Sequence, residues 1–106
     1  MPEERAKRKL SAILCADVKG YSRLMEHDES LTVQTLKAYR EIVTSLIQDY
    51  RGRVVDSPGD NVLAEFGSVV DAVEGAVKVQ QELKEKNAAL PENRRMEFRI
   101  GVNLEM

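Results

Sequence analysis

The run Leu10-Ser11-Ala12-Ile13-Leu14-Cys15-Ala16-Asp17-Val18 constrains this chain more than any other stretch. It is apolar almost throughout, ends in an acid, and is broken at Gly20. A short apolar run of this kind is the pattern of a buried central strand. A charge has no place inside such a run, so the Asp17 carboxylate is expected at the rim of the sheet. Cys15 shares strand parity with Ile13 and Asp17 and is expected to pack as a small hydrophobe. It is the single cysteine of the chain, which excludes an internal disulfide. The expected compartment is a reducing cytoplasm.

With 106 residues the chain makes one small domain. A chain of this size buries about 60–70% of its unfolded surface, enough for a core but not for a large internal cavity. Aromatic residues are 5% of the sequence and Trp is absent, so that core must be mostly aliphatic. The net charge of −2 argues against nucleic acid as a partner, since phosphate neutralisation needs a basic surface. No apolar run reaches the length of a membrane span, and the N-terminus is too polar for a signal peptide. Residues 1–8 read as a charged lead-in, and Arg5, Lys7, Arg8 and Lys9 as a solvated basic cluster.

After Gly20, Ser22 is placed to cap a short helix through His27, and Asp28-Glu29-Ser30 to restart a longer one. That longer helix is expected to run to about Tyr50. Leu36, Tyr39, Val43, Ile47 and Tyr50 recur at spacings of three and four, widened by Ile42 and Leu46. Gly52 closes it. A hairpin follows, roughly 53–57 paired with 61–66, and Ser68 through Asp71 resembles a capping box with Asp in place of Glu. The next helix, about 69–87, is expected to turn Val69, Val73, Ala76, Val77 and Leu83 inward. Residues 87–93 read as a polar loop and 98–104 as a last strand. His27 has no second ligand candidate beside it and reads as structural.

The order is βα(α)ββαβ. It predicts an α+β, ferredoxin-like sandwich in which an antiparallel four-stranded sheet carries its helices on one face. The first strand and the hairpin are neighbours in that plan, which brings Asp17 near Asp60. Two readings of the pair stand side by side. Asp17 can simply cap its loop or pair with Lys19, and Asp60 in Pro-Gly-Asp-Asn can be turn chemistry alone. Together, the two carboxylates make a hard oxygen site suited to Mg²⁺ or Mn²⁺. Two such ions support phosphoryl or nucleotidyl transfer. Gly20 would then let backbone amides approach phosphate oxygens.

The segments AILCADVKGYSRLM, GRVVDSPGDNVLAEF and FRIGVNL resemble the class III adenylate/guanylate cyclase catalytic domain, over residues 9 to about 104. The resemblance implies a partial nucleotide cyclase domain over 9–106, converting ATP to 3′,5′-cyclic AMP and pyrophosphate with two Mg²⁺ or Mn²⁺ ions. It implies that Asp17 and Asp60 are the metal-binding aspartates, with the carbonyl of Val18 as a further ligand. It implies that Lys19, Gly20, Tyr21 and Ser22 lie against the triphosphate, with Asp56 and Gly59 at the nucleotide. It also implies a head-to-tail homodimer, and further domains in a longer parent.

The chain departs from that family in two places. Asp56 stands where many of its members carry a lysine that reads adenine. A carboxylate accepts from the adenine amino group but cannot donate to a ring nitrogen. The plainer alternative is that Asp56 pairs with Arg51 or Arg53. The family's transition-state Asn and Arg lie downstream of the strand matching 98–104, so no catalytic residue of that kind is assigned, the family's C-terminal elements are lacking, and the fragment is expected to be inactive alone. Apolar surface exposed in this way is expected to drive self-association. Diguanylate cyclases share the plan, but Ser57-Pro58-Gly59-Asp60-Asn61 lacks their hairpin motif. A degenerate module that only dimerises or regulates is the other alternative.

Overall fold

Residues 11–105 are described by the computed structural model. The charged lead-in, the basic cluster at 5–9 and Leu10 lie outside them. The first element, β1 (Ser11–Val18), alternates in burial along its length. Ala12, Leu14, Ala16 and Val18 are buried, whereas Ile13, Cys15 and Asp17 lie on the other face and are at least partly open. Two helices follow, α1 (Tyr21–His27) and α2 (Glu29–Asp49). The hairpin is β2 (Gly52–Asp56) and β3 (Val62–Phe66). Then come α3 (Val69–Ala88), a 3₁₀ turn (Glu92–Arg94) and β4 (Phe98–Glu105).

The sheet order is β2-β3-β1-β4. β1 pairs antiparallel with both β3 and β4, and β2 pairs antiparallel with β3. This is the expected α+β plan with the first strand and the hairpin in contact. The core is the layer between the sheet and α2 and α3, built from Leu14, Val43, Ile47, Phe66, Val79 and Leu83 among others. The α2 stripe is as expected, with Leu36, Tyr39, Val43 and Ile47 buried.

Several local expectations are corrected. Gly20, not Ser22, is the N-cap of α1; it adopts the left-handed region at φ 66° and offers no side-chain cap. The residue that turns the chain out of α2 is Arg51, at φ 68°, with Gly52 already in β2. Gly52 is needed for space instead, because a Cβ there would run into the Phe66 ring and the Ile47 methyl. Asp28 does cap α2, accepting from the Leu31 N–H, and Ser68 caps α3, accepting from the Asp71 N–H.

The inward face of α3 differs most. Its buried residues are Ala72, Gly75, Val79, Leu83 and Asn87, while Val69, Val73 and Val77 are exposed. Small residues let the helix sit close: a Cβ on Gly75 would come within 3.3 Å of the Tyr50 side chain. Asn87, expected in a loop, is a buried clamp inside the helix. Its Oδ1 accepts from Tyr39 Oη at 2.8 Å and from Met96 N at 3.0 Å, and its Nδ2 donates to Met96 O at 2.9 Å. The clamp fixes the chain just before β4. Cys15 is also corrected: it is exposed, because the sheet face it occupies carries no helix.

Candidate functional site

The end of β1 and the hairpin turn meet as topology requires. Gly59 takes φ 58°, which any residue with a Cβ would enter only under strain, and Asn61 N–H closes the turn on the Pro58 carbonyl at 2.9 Å. The turn holds Asp60 so that its Oδ2 accepts from the Val18 N–H at 3.0 Å. From α2, Arg40 donates to the Gly59 carbonyl, tying the turn to the helix layer. The Arg40 Nε is buried and has no partner among the described residues.

Asp17 lies one residue earlier, on the open face of the sheet and 37% exposed at its side chain. It stands directly opposite Arg99 in the β1–β4 register. The guanidinium grips it at both oxygens, Nε to Oδ1 at 2.9 Å and Nη2 to Oδ2 at 3.1 Å. These hydrogen bonds and the charge of Asp17 push the Arg99 pKa up, and the charge of Asp60 adds to the effect against a small desolvation. One guanidinium therefore feels both carboxylates.

A cleft of about 490 Å³ opens beside this pair. Asp17, Asp56, Pro58, Asn61, Arg99 and Gly101 are among the residues that line it. Asp56 ends β2 next to a register shift between Val54 and Asp56, and its Oδ1 accepts from the Ser57 N–H at 2.9 Å. The plainer alternative for Asp56 fails: Arg51 pairs with Asp71, and Arg53 with Glu65. Asp17 likewise pairs with Arg99 rather than with Lys19.

The remaining expected residues lie around the end of β1 rather than in that cleft. Lys19 donates its backbone N–H to the Glu97 carbonyl at 2.8 Å, and its side chain is exposed. Lys19 and Gly20 line a second cleft of about 560 Å³ with Arg23, His27 and Arg95. Tyr21 packs against the core, and Ser22 is exposed on α1. The structure thus groups Asp17, Asp56 and Arg99 on the open face. It joins Asp60 to Val18, and turns Lys19 and Gly20 to a neighbouring surface.

Sequence reasoning missed Arg40 and Arg99. Neither had a local signal. Arg99 is 82 residues from Asp17 in the chain, and only the strand register puts the two opposite each other.

The candidate ligands at this strand end are hard oxygens: the Asp17 and Asp60 carboxylates and the Val18 carbonyl. Among the described residues no three His, Cys, Asp or Glu side chains gather into a closed metal cage. Two carboxylates at an open rim fit an ion that keeps waters or takes ligands from a phosphate, as Mg²⁺ does.

Known proteins share this fold and sequence. A curated protein of Rhizobium meliloti named "Putative adenylate cyclase 3" is 49% identical over 105 residues, which is 98% of this chain and 18% of that protein. The crystal structure of an adenylate/guanylate cyclase/hydrolase from Silicibacter pomeroyi superposes with a TM-score of 0.82 at 37% identity, over 92% of this chain and 57% of that one. The chain belongs to the class III adenylate/guanylate cyclases. The adenylyl cyclase CyaB from P. aeruginosa shares the fold, with a TM-score of 0.78 at 21% identity over 91% of this chain and 56% of that one. No protein-family model matches the chain.

The chain therefore spans a little over half the length of these solved cyclase structures and a fifth or less of the curated relative. Within a cyclase domain, β1, the hairpin and β4 are the elements present, and Asp17 and Asp60 sit where two of them meet. No helix among the described residues is long and apolar enough to cross a membrane.

Proposed function

We propose that this chain forms the cation- and triphosphate-handling half of a nucleotide cyclase domain, which in a longer protein converts ATP to 3′,5′-cyclic AMP and pyrophosphate. The observation that carries the reading is the bond from the Val18 N–H to Asp60, which fixes the hairpin carboxylate beside the strand end bearing Asp17. The adenylate cyclase name of the curated relative favours ATP.

In this reading Asp17, Asp60 and the Val18 carbonyl hold Mg²⁺ or Mn²⁺. The ions would supply Lewis-acid activation of the attacking hydroxyl and charge neutralisation of the leaving pyrophosphate. The chain's own residues do the rest. The glycine turn and the Val18 N–H keep Asp60 from rotating away, so little reorganisation is needed when the cation arrives. Lys19 adds positive charge, and Gly20 leaves backbone room, where the triphosphate would pass. Asp56, exposed and not paired with Arg51 or Arg53, is free to accept a hydrogen bond from a base amino group. These 106 residues alone are expected to bind metal and nucleotide without robust turnover. They span a little over half of the solved cyclase chains they match, and preorganised positive charge at the transition state is worth orders of magnitude in rate. Completion of the site by a second copy, head to tail, belongs to the same proposal.

A second reading is favoured by Asp56 itself. Guanine presents two donors on its Watson–Crick edge where adenine presents one, so a lone carboxylate in the cleft suits GTP at least as well. The test is Mn²⁺-dependent binding of non-hydrolysable ATP and GTP analogues, measured by calorimetry on the native chain and on an Asp17→Ala, Asp60→Ala double variant. Metal-dependent binding lost in the variant supports the cyclase reading, and the analogue bound more tightly decides the base. Binding indifferent to both metal and substitution would favour a regulatory module without catalysis.

A further inference from the structure

Arg99 is bonded to the candidate cation ligand Asp17. Its guanidinium engages both oxygens of Asp17, so a cation reaching that carboxylate meets Arg99 already bound there. The contact is not a chance surface encounter. Arg99 and Asp17 are direct register partners on adjacent antiparallel strands, both on the helix-free face, and the pair borders the cleft beside the hairpin. Asp60 is held to the amide of the residue that follows Asp17, so both acids lie at the same strand end. The Arg99 guanidinium neutralises Asp17 there.

Resting on the reading of Asp17 and Asp60 as cation ligands, we infer that Arg99 is a built-in stand-in cation, and that binding of a divalent ion at this site is an exchange in which Arg99 is released from Asp17. Both partners are partly exposed, with side chains 67% and 37% accessible, so water screens the pair and its displacement costs little. A divalent ion carries twice the charge and takes inner-sphere oxygens, which a guanidinium cannot match at the same carboxylate. Arg99 also lines a cleft between α3 and the start of β4 together with Lys19, Lys84, Arg95 and the acid Glu97, which offers the released guanidinium another carboxylate. Metal occupancy thereby frees a guanidinium beside a cleft that carries three other cationic side chains and Glu97. Arg99 acts on the metal through Asp17, and is a positioning residue rather than a catalytic one.

The test uses metal ions alone, on the 106-residue chain. Mg²⁺ is titrated while the Arg99 Nε–H signal is followed by ¹H–¹⁵N NMR, and Mn²⁺ affinity is measured by the loss of free-ion EPR signal for the native chain, Arg99→Gln and Asp60→Asn. The inference expects the Arg99 Nε–H to move to the free-guanidinium position with the same midpoint as metal binding. It expects Arg99→Gln to bind Mn²⁺ about two- to fivefold more tightly than the native chain, the size expected when an exposed competing pair is removed. Metal that binds and is weakened by Asp60→Asn, but leaves the Arg99 signal in place or binds Arg99→Gln no better, overturns the exchange and leaves the site reading intact. Absence of binding in both the native chain and Arg99→Gln overturns the site reading and the exchange together. Amide spectra of the variants matching the native dispersion establish that a loss of binding is not a loss of fold.

Discussion

Replacing Asn87 by Ala probes the clamp that delivers the chain into β4, and so places Arg99 and the Lys19–Glu97 backbone contact. Three hydrogen bonds disappear with the carboxamide: one from Tyr39 Oη, one from the Met96 N–H and one to the Met96 carbonyl. Met96 is 1% exposed, so neither of its backbone groups gains water in exchange. An unsatisfied buried polar group costs about 1–3 kcal/mol, and two are left on Met96. The Tyr39 hydroxyl is also left inside a nearly buried residue. The expected loss is about 3–5 kcal/mol, a large share of the roughly 5–15 kcal/mol available to a domain of this size. Tyr39→Phe is the control. It removes one donor while Asn87 Oδ1 still accepts from Met96 N, so the loss should be about 1 kcal/mol. Urea unfolding followed by circular dichroism measures both. A loss below about 1 kcal/mol for Asn87→Ala, or equal losses for the two variants, would refute the clamp.

Three further outcomes follow from the same contacts. Burial pushes the Tyr39 pKa above its usual value of 10.0, so the neutral phenol is favoured in the folded state; the corresponding stability is fully present below about pH 10, is lost as pH rises through the folded value, and that loss should vanish in Tyr39→Phe in alkaline urea melts. Gly52→Ala should lower stability by about 1–3 kcal/mol, since the added Cβ meets the Phe66 ring and Ile47 in a filled core; thermal melts that match the native chain would contradict this packing. Arg40→Met should release the Gly59 carbonyl and speed hydrogen exchange at the Val18 amide that Asp60 holds, with unchanged exchange counting against a role for Arg40 in setting the turn.

Much of this fold could be read from the sequence because its signals are local. The apolar run ending in Asp17, the three-four spacing on α2, and the turn residues at 58–61 each specify their element without reference to the rest. What could not be read depends on distance or on which side is covered. Val69, Val73 and Val77 form an apolar stripe four residues apart, yet the helix packs through Ala72, Gly75 and Val79, because small side chains allow closer approach to Tyr50 and Phe66. Cys15 was expected in the core on parity alone, but only one face of β1 carries helices, and parity cannot say which. Asn87 looked like loop chemistry until Tyr39 and Met96 supplied its partners. In the site, Asp17 and Asp60 were visible as acids at element ends. Arg99 and Arg40 were not, since their meaning lies in a strand register and in a helix passing over a turn. Val69, Val70, Val73 and Val77 of α3 and Leu104 of β4 are exposed apolar side chains.

If Asp17 and Asp60 act as one site for a hard cation, Mn²⁺ binding should depend on each of them, and two single isosteric variants separate their parts. Asp60→Asn keeps an oxygen to accept the Val18 N–H, and Asp17→Asn keeps the side-chain shape, so each removes charge while preserving the fold. Saturable Mn²⁺ binding is expected for the native chain, weakened about tenfold or more in each variant. Equal affinity in all three proteins would contradict it.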